Sequence, residues 1–454
     1  MNNMENKRVL VVGMGKSGIA ATQAMTALGA DVTVQDSKSE SEIDAHLVSF
    51  LKGRNVKCCF GFEPEDMGAF DMIILSPGVP PELPFIEEGK KKGAEIVGEL
   101  ELAYRLGHGK YAAITGTNGK TTTTTLTGEI FKAAKRKTYV VGNIGVAVIS
   151  AAISAEEDAW LVTETSSFQL ETTKKFKPEI SAILNLTPDH LNRHKTMENY
   201  GLAKAKIMEK QDESQYAVIN YDDKTVRELA KHTKAKLVPF SRLEELNFGA
   251  FVRDGRIVIK DEEGEIYDIC GVSELRIPGT HNLENVLAAA AISFFAGIDA
   301  DTIGNAVRAF TGVEHRIEYV GTVDGVRFVN DSKGTNPDSS IKAVQAIDGN
   351  IILIAGGYDK GSDYKEFIES FDGRVKYMML LGKTAPKIKK QAEELGFANC
   401  IMCKDMEECV NEAYKLAEKG DTVLLSPACA SWDMYTCFEQ RGEHFKNCVY
   451  RLGA

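Results

Sequence analysis

Two glycine-rich turns restrict the fold more than any other feature of the chain. Gly13-Met14-Gly15-Lys16-Ser17-Gly18 follows a strand-like run at 8–13 and opens a helical pattern that ends near Gly29. Thr115-Gly116-Thr117-Asn118-Gly119-Lys120-Thr121-Thr122 has the same layout after a run at 111–115. A strand that turns through glycines straight into a helix is the phosphate-binding corner of parallel α/β sheets. Elsewhere, short β-branched runs alternate with helical patterns, which predicts α/β architecture almost throughout.

Three blocks are predicted, at 1–106, 107–312 and 313–454, joined by short linkers at 107–110 and 311–314, the latter a candidate hinge. In the first, further strands fit 31–35, 56–60, 72–75 and 95–97, giving a Rossmann-like N-terminal domain. The second is a central P-loop ATPase-type domain with strands at 139–141, 160–164, 181–186 and 217–220. Its tail at 251–270 alternates around Asp-Gly and Glu-Gly turns and predicts a small antiparallel β element; an apolar helix at 282–296 follows. The third, a Rossmann-like C-terminal domain, carries a hairpin at Asp324-Gly325 and strands at 351–354, 377–381 and 422–425.

Composition narrows the class of function. With 454 residues, 43% hydrophobic and 26% charged, the chain can bury several cores. A net charge of −11 without a basic run argues against nucleic acid or an anionic membrane as partner. The longest apolar run, 287–298, is broken by Ser293 and Gly297, and the N-terminus has no signal layout. Nine cysteines, an odd number, do not form a disulfide framework. Cys400 and Cys403 make a CxxC with Cys409 nearby but no second pair at zinc spacing. Cys58 and Cys59 read as strand residues. A cytoplasmic protein is expected.

The chemistry lies in the turns. The first, with Asp36 closing the next strand, selects a pyrophosphate, whether of a dinucleotide or of a UDP-linked compound. The second ends as a P-loop does, so Lys120 can reach terminal phosphates and Thr121 can ligate Mg²⁺. The first glycine of the longer P-loop would fall at Ile114, so this is a shorter variant. Two phosphate turns imply two phosphorylated ligands, whereas an NAD-dependent oxidoreductase would leave Lys120 unused. Read blandly, Glu164 is a surface acid at a strand end, and Lys204 is solvated on a basic helix with Lys206 and Lys210. Asn282 is then a helix N-cap, Asn285 a polar-face residue, and Trp432 and Phe438 core. His190 and His194 have the spacing of zinc ligands on one helix face.

The motifs TGTNGKTT, GNIG (142–145), TETSSFQLE (163–171), NLTPDHLNRH (185–194), YGLAKAKI (200–207), GTHNLENVLAA (279–289), His315-Arg316 and NDSKGTNPDS (330–339) resemble those of the Mur ligases. These ATP-dependent enzymes add amino acids to the peptidoglycan precursor. ILSPGVP (74–80), LLSPACASWDMY (424–435) and FEQRG (438–442) resemble the branch that adds D-glutamate to UDP-N-acetylmuramoyl-L-alanine. A DNPR motif, expected in the ligase for the third residue, is absent. Folylpolyglutamate synthase shares the TGTNGKT-type loop but would start directly with its ATP domain.

The resemblance implies an acyl-phosphate reaction with ATP and two Mg²⁺ ions held by Thr121, Glu164, His190 and a Lys204 carbamylated by CO₂. Catalysis is then expected from Lys120, Glu164, His190 and Lys204. ATP would be bound by Gly116, Thr117, Asn118, Gly119, Lys120, Thr121 and Thr122, with Asn282, Asn285, Arg316 and Asp331 on the adenosine side. The UDP-substrate would meet Gly15, Lys16, Ser17, Gly18, Asp36, Ser37, Lys38, Ser76, Pro77, Gly78, Asn143, Ser166 and Gln169. D-Glutamate would meet Lys333, Thr335, Lys360, Ser431, Trp432 and Phe438. The partners implied are these small molecules alone, with the chain acting as a monomer.

Overall fold

The computed structural model describes residues 4–359 and 361–453, which form three sheets. The first comprises β1 (Arg8–Val12), β2 (Asp31–Asp36), β3 (Lys57–Phe60), β4 (Met72–Leu75) and β5 (Glu95–Gly98), in the order β3-β2-β1-β4-β5. Every neighbouring pair is parallel. Val9, Leu10 and Val11 of β1 are fully buried, the continuous apolar run that a parallel sheet covered on both faces requires. Because β2 and β4 leave β1 on opposite sides, the strand order reverses beside β1, and the Gly13 turn opens at that crevice.

The second sheet has nine strands in the order β14-β13-β12-β11-β10-β9-β6-β8-β7. They are β6 (Lys110–Thr115), β7 (Thr138–Gly142), β8 (Trp160–Glu164), β9 (Ile180–Ile183), β10 (Tyr216–Asn220), β11 (Lys236–Ser241), β12 (Gly249–Arg253), β13 (Arg256–Lys260) and β14 (Ile266–Gly271). The predicted antiparallel element exists, and it extends this sheet. β12 pairs parallel with β11 and antiparallel with β13 around Asp254-Gly255, both at positive φ as a tight type I′ turn demands. β11 escaped the sequence reading because Pro239 interrupts its apolar run. The third sheet follows the order β15-β16-β20-β17-β18-β19. Its strands are β15 (Glu318–Val323), β16 (Val326–Asn330), β17 (Ile351–Gly356), β18 (Val375–Leu381), β19 (Cys400–Met402) and β20 (Thr422–Leu425). Only β15 and β16, joined by Asp324-Gly325, are antiparallel.

Contacts gather the chain into two compact units. One holds Met1–Leu186, Glu198–Cys270 and Val286–Ala306, with the first two sheets; the other holds Thr187–Met197, Gly271–Asn285 and Val307–Ala454, with the third. Among the described residues no helix is long and apolar enough to cross a membrane.

Candidate active site

In the first unit, the Gly13 turn is shaped by close backbone contact. Gly13 has φ +86°, and a Cβ on Gly18 would stand 1.9 Å from the Gly13 carbonyl oxygen, whereas beside Gly15 nothing lies within 4 Å. An anion can therefore approach the amides that begin helix Lys16–Ala27. Asp36 accepts hydrogen bonds from the amides of Met14 (2.7 Å) and Lys38 (3.0 Å), and Ser76 donates its hydroxyl to the Gly13 carbonyl (2.7 Å). The ends of β1, β2 and β4 thus bring Gly15, Lys16, Ser17, Gly18, Ser37, Pro77 and Gly78 to one edge of the sheet.

The second turn follows β6. Gly119 is left-handed, with φ +83°, and begins helix Lys120–Ala133. Asn185, just beyond β9, accepts from the Asn118 amide (2.9 Å) and donates to the Asn118 carbonyl (3.1 Å), clasping the loop from the neighbouring strand. Glu164, at the end of β8, is fully buried. It accepts from the Thr121 hydroxyl (2.9 Å) and from the Asn143 side-chain amide (2.8 Å). The surface-acid reading of Glu164 is therefore wrong.

The solvated reading of Lys204 fails too, since only 1% of it is exposed. Its Nζ donates to the Gly116 carbonyl (2.7 Å) and lies 4.6 Å from the Tyr200 ring centre. Lys120 Nζ donates to the same carbonyl (2.7 Å) and to that of Thr117 (2.6 Å), so the two amines converge on one loop. Ser166 and Gln169 cap helix Ser167–Glu171 reciprocally, close in sequence to Glu164.

In the second unit, His190 is left-handed (φ 54°) and precedes the one-turn helix Leu191–His194, so the two histidines do not share a helical face. Its Nε2 lies 3.4 Å from Asp189, which also accepts from Asn336 (3.3 Å). Among the described residues, the His/Cys/Asp/Glu group at metal-ligand spacing is Glu314, His315 and Glu443. Lys446 already pairs with both of those glutamates. Asn282 is not an N-cap: it sits inside helix Thr280–Phe295 and donates back to the Pro278 carbonyl (2.6 Å), while Asn285 donates to Asn282 (3.1 Å). Arg316 donates to Ser339 (2.6 Å) and stands 3.9 Å from Asp331. Burial raises the Asp331 carboxyl to about 6 against the pull of Arg316 and Ser426.

Around the third sheet, Lys333 Nζ stands 4.9 Å from the Phe438 ring centre. The Thr335 amide donates to the Lys333 carbonyl (2.9 Å), and Ser431 is buried. Trp432 is 63% exposed and packs on Tyr358, with ring centres 5.7 Å apart, so the core reading of this residue is wrong. Phe438 is half-buried. Lys360 lies outside the described residues.

Sequence reasoning missed Arg441 within FEQRG. Its buried guanidinium donates to the Ser332 carbonyl (2.8 Å) and hydroxyl (3.1 Å) and to the carbonyls of Cys429 (3.1 Å) and Ala430 (3.3 Å), tying together the loops after β16 and β20. His281 was missed as well; burial, aided by Arg316 and Lys342, pushes its imidazole down to about 3. The only local signal for either was membership of a quoted motif.

Three segments match known domains: 7–98 the Mur ligase MurD-like N-terminal domain, 114–293 the Mur ligase middle domain and 315–429 the Mur ligase glutamate ligase domain. The chain belongs to the Mur ligase family. This Mur ligase is 52% identical to the UDP-N-acetylmuramoylalanine–D-glutamate ligase of Alkaliphilus oremlandii, over 99% of each chain. It is 48% identical to the protein of that name from Clostridioides difficile, over 99% of this chain and 100% of that one. Among solved structures it resembles the MurC ligase of Thermotoga maritima (TM-score 0.60, 18% identity, covering 98% and 99%). It also resembles the MurF ligase of that organism in complex with ADP (TM-score 0.60, 17% identity, covering 99% and 96%). The mixed α/β fold with three sheets is that of the Mur ligases, and neither the oxidoreductase nor the folylpolyglutamate synthase alternative is favoured.

Proposed function

We propose that this Mur ligase joins D-glutamate to UDP-N-acetylmuramoyl-L-alanine at the expense of ATP, in the cytoplasmic synthesis of the peptidoglycan precursor. The observation that carries the reading is the 52% identity along 99% of both chains to a ligase of that name. The matched segments support three domains, which we read as a Rossmann-like UDP-substrate domain (1–106), a central ATP domain (107–312) and a Rossmann-like amino-acid domain (313–454); the enzyme is proposed to act as a monomer.

The reaction requires a carboxylate to take the γ-phosphoryl group of ATP and the resulting acyl phosphate to be attacked by the amine of D-glutamate. Both first reactants are anions, so positive charge must offset their repulsion. Lys120 and the amides of 116–122 supply it on the phosphate side. In-line transfer needs positioning more than covalent help from the protein.

The Thr121 hydroxyl hydrogen-bonded to the buried Glu164 carboxylate is an oxygen donor set suited to Mg²⁺, and we assign both as ligands, with His190 and Lys204. Bound there, the cation would neutralise charge on the transferring phosphoryl group. Lys204 is suited to carbamylation: its buried ammonium gives up a proton, the neutral amine forms an N–C bond to CO₂ and releases a second proton, and an anionic oxygen ligand replaces the cation. Asn282, Asn285, Arg316 and Asp331 are assigned to adenosine. Lys333, Thr335, Lys360, Ser431, Trp432 and Phe438 are assigned to D-glutamate, whose carboxylates call for the lysines. The turn at 15–18 takes the diphosphate, Asp36, Ser37 and Lys38 the uracil side, and Ser76, Pro77, Gly78, Asn143, Ser166 and Gln169 the muramoyl-alanine.

Phosphate release with ATP, Mg²⁺ and UDP-N-acetylmuramoyl-L-alanine tests the reading. Release that depends on D-glutamate, with a product one glutamyl residue heavier, is expected. Release supported instead by L-glutamate, L-lysine or L-alanine would move the chain to a sister step.

A further inference from the structure

Helix Glu99–Leu106 follows β5 of the first sheet, and two of its carboxylates meet backbone amides of segments that connect strands of the second. Glu101 is fully buried. It accepts hydrogen bonds from the successive backbone amides of Lys174 (2.9 Å), Lys175 (2.9 and 3.1 Å) and Phe176 (3.1 Å), and from Arg105 Nε (2.6 Å). Three consecutive amides aimed at one carboxylate form an anion-binding nest filled from within the chain. Glu99 likewise accepts from the Ile149 amide (2.6 Å), at the start of the helix that follows the GNIG turn. Tyr104, Tyr111 and Phe176 close the same junction as mutually edge-on rings, with centres 5.5–5.7 Å apart.

The segment Glu101 grips is the continuation of helix Ser167–Glu171. The hydroxyls of Thr172 and Thr173 donate to the carbonyls of Gln169 (3.4 Å) and Leu170 (2.7 Å), so fixing 174–176 fixes the end of that helix. The helix Glu99–Leu106 therefore connects the sheet bearing the diphosphate turn to the elements bearing Asn143, Ser166 and Gln169.

We infer that this helix is a strut that sets the spacing between the diphosphate and muramoyl-alanine subsites, with Glu101 as its positioning residue. The inference rests on the substrate reading above. A ligand that spans two subsites gains from the second only when the two are held at the spacing of its own atoms. Glu101 should then matter for a ligand long enough to span both sheets and be silent for one that touches the first sheet alone. In Glu101→Gln the one remaining acceptor oxygen can meet the amides of 174–176, but the side-chain nitrogen then turns a donor toward Arg105 Nε–H, and the negative charge held by the nest is lost.

The test is calorimetric titration of the whole chain, wild type and Glu101→Gln, with UDP-N-acetylmuramoyl-L-alanine, with UDP and with ADP. The expected result is weaker binding of the muramoyl-alanine compound by about tenfold or more, with UDP and ADP unchanged. A wild-type preference for the long ligand over UDP that survives the substitution overturns the inference alone, and so does an equal loss for all three ligands. A wild type that binds the long ligand no better than UDP overturns the substrate reading as well. Gly98→Ala serves where Glu101→Gln does not fold: its added Cβ would lie 2.1 Å from Thr172 Oγ1 and wedge the same junction, with the same outcomes expected.

Discussion

Glu99 holds a buried carboxyl whose pKa is pushed up to about 7 by burial, against the amides of Ile149 and Val148. A carboxyl raised in the folded state stabilises the fold below its unfolded value of 4.5, and that contribution is lost as pH rises through about 7. Thermal unfolding of Glu99→Gln against wild type should thus show a difference that changes between these pH values, by on the order of 3 kcal/mol, in favour of the variant at the alkaline end. A parallel pair of pH profiles would contradict it. Lys204 gives a second expectation at this scale. With ¹³C-bicarbonate, a carbamate carbonyl resonance should appear in the wild type and be missing from Lys204→Ala, which should also lose nearly all ligase activity. Arg441→Lys should cost about 3 kcal/mol of stability in denaturant titration, because one ammonium nitrogen cannot replace three separate guanidinium nitrogens that reach four acceptors on Ser332, Cys429 and Ala430.

The strand–glycine–helix corner is the element on which the proposed diphosphate binding rests. Gly18→Ala places a methyl group against the Gly13 carbonyl, so the turn must open or the helix must shift. UDP should then bind at least tenfold more weakly, while ADP, proposed to bind at the other corner, binds as before. Equal affinity for UDP in a titration of that variant would separate the diphosphate from this turn. Both corners could be placed from sequence alone because glycine spacing and β-branched runs are local. The tail at 251–270 could be read as antiparallel from Asp254-Gly255, yet its attachment to β11 could not. Pro239 hides that strand, and the partner of an edge strand is set by contacts remote in sequence.

For the molecule as a whole, ligand linkage gives the cleanest check on the metal assignment. A nucleotide that binds only the folded state stabilises it by about 2.7 kcal/mol at a hundredfold excess over its Kd. ADP with Mg²⁺ should therefore raise the unfolding temperature, and a chelator should reduce that rise if Thr121 and Glu164 share a cation with the phosphates. A rise unaffected by chelator would leave these side chains as loop supports only.

Sequence by itself determined the α/β class, most strands of the three sheets, both strand–glycine–helix corners and, through the motifs, the family. Each of these follows from periodicity, from glycine geometry or from residues adjacent in the chain. Tertiary structure alone decided the environment of the charged groups. Glu164 and Thr121 are 43 positions apart and meet because β8 lies beside β6. Lys204 is buried because its helix brings it to the Gly116 carbonyl, 88 positions away. Trp432, which composition would put in a core, lies at the surface, and Glu101, which composition would put in water, is sealed within a nest of amides. Whether a polar side chain is solvated or buried depends on which distant segment the fold lays over it, and local sequence carries no record of that.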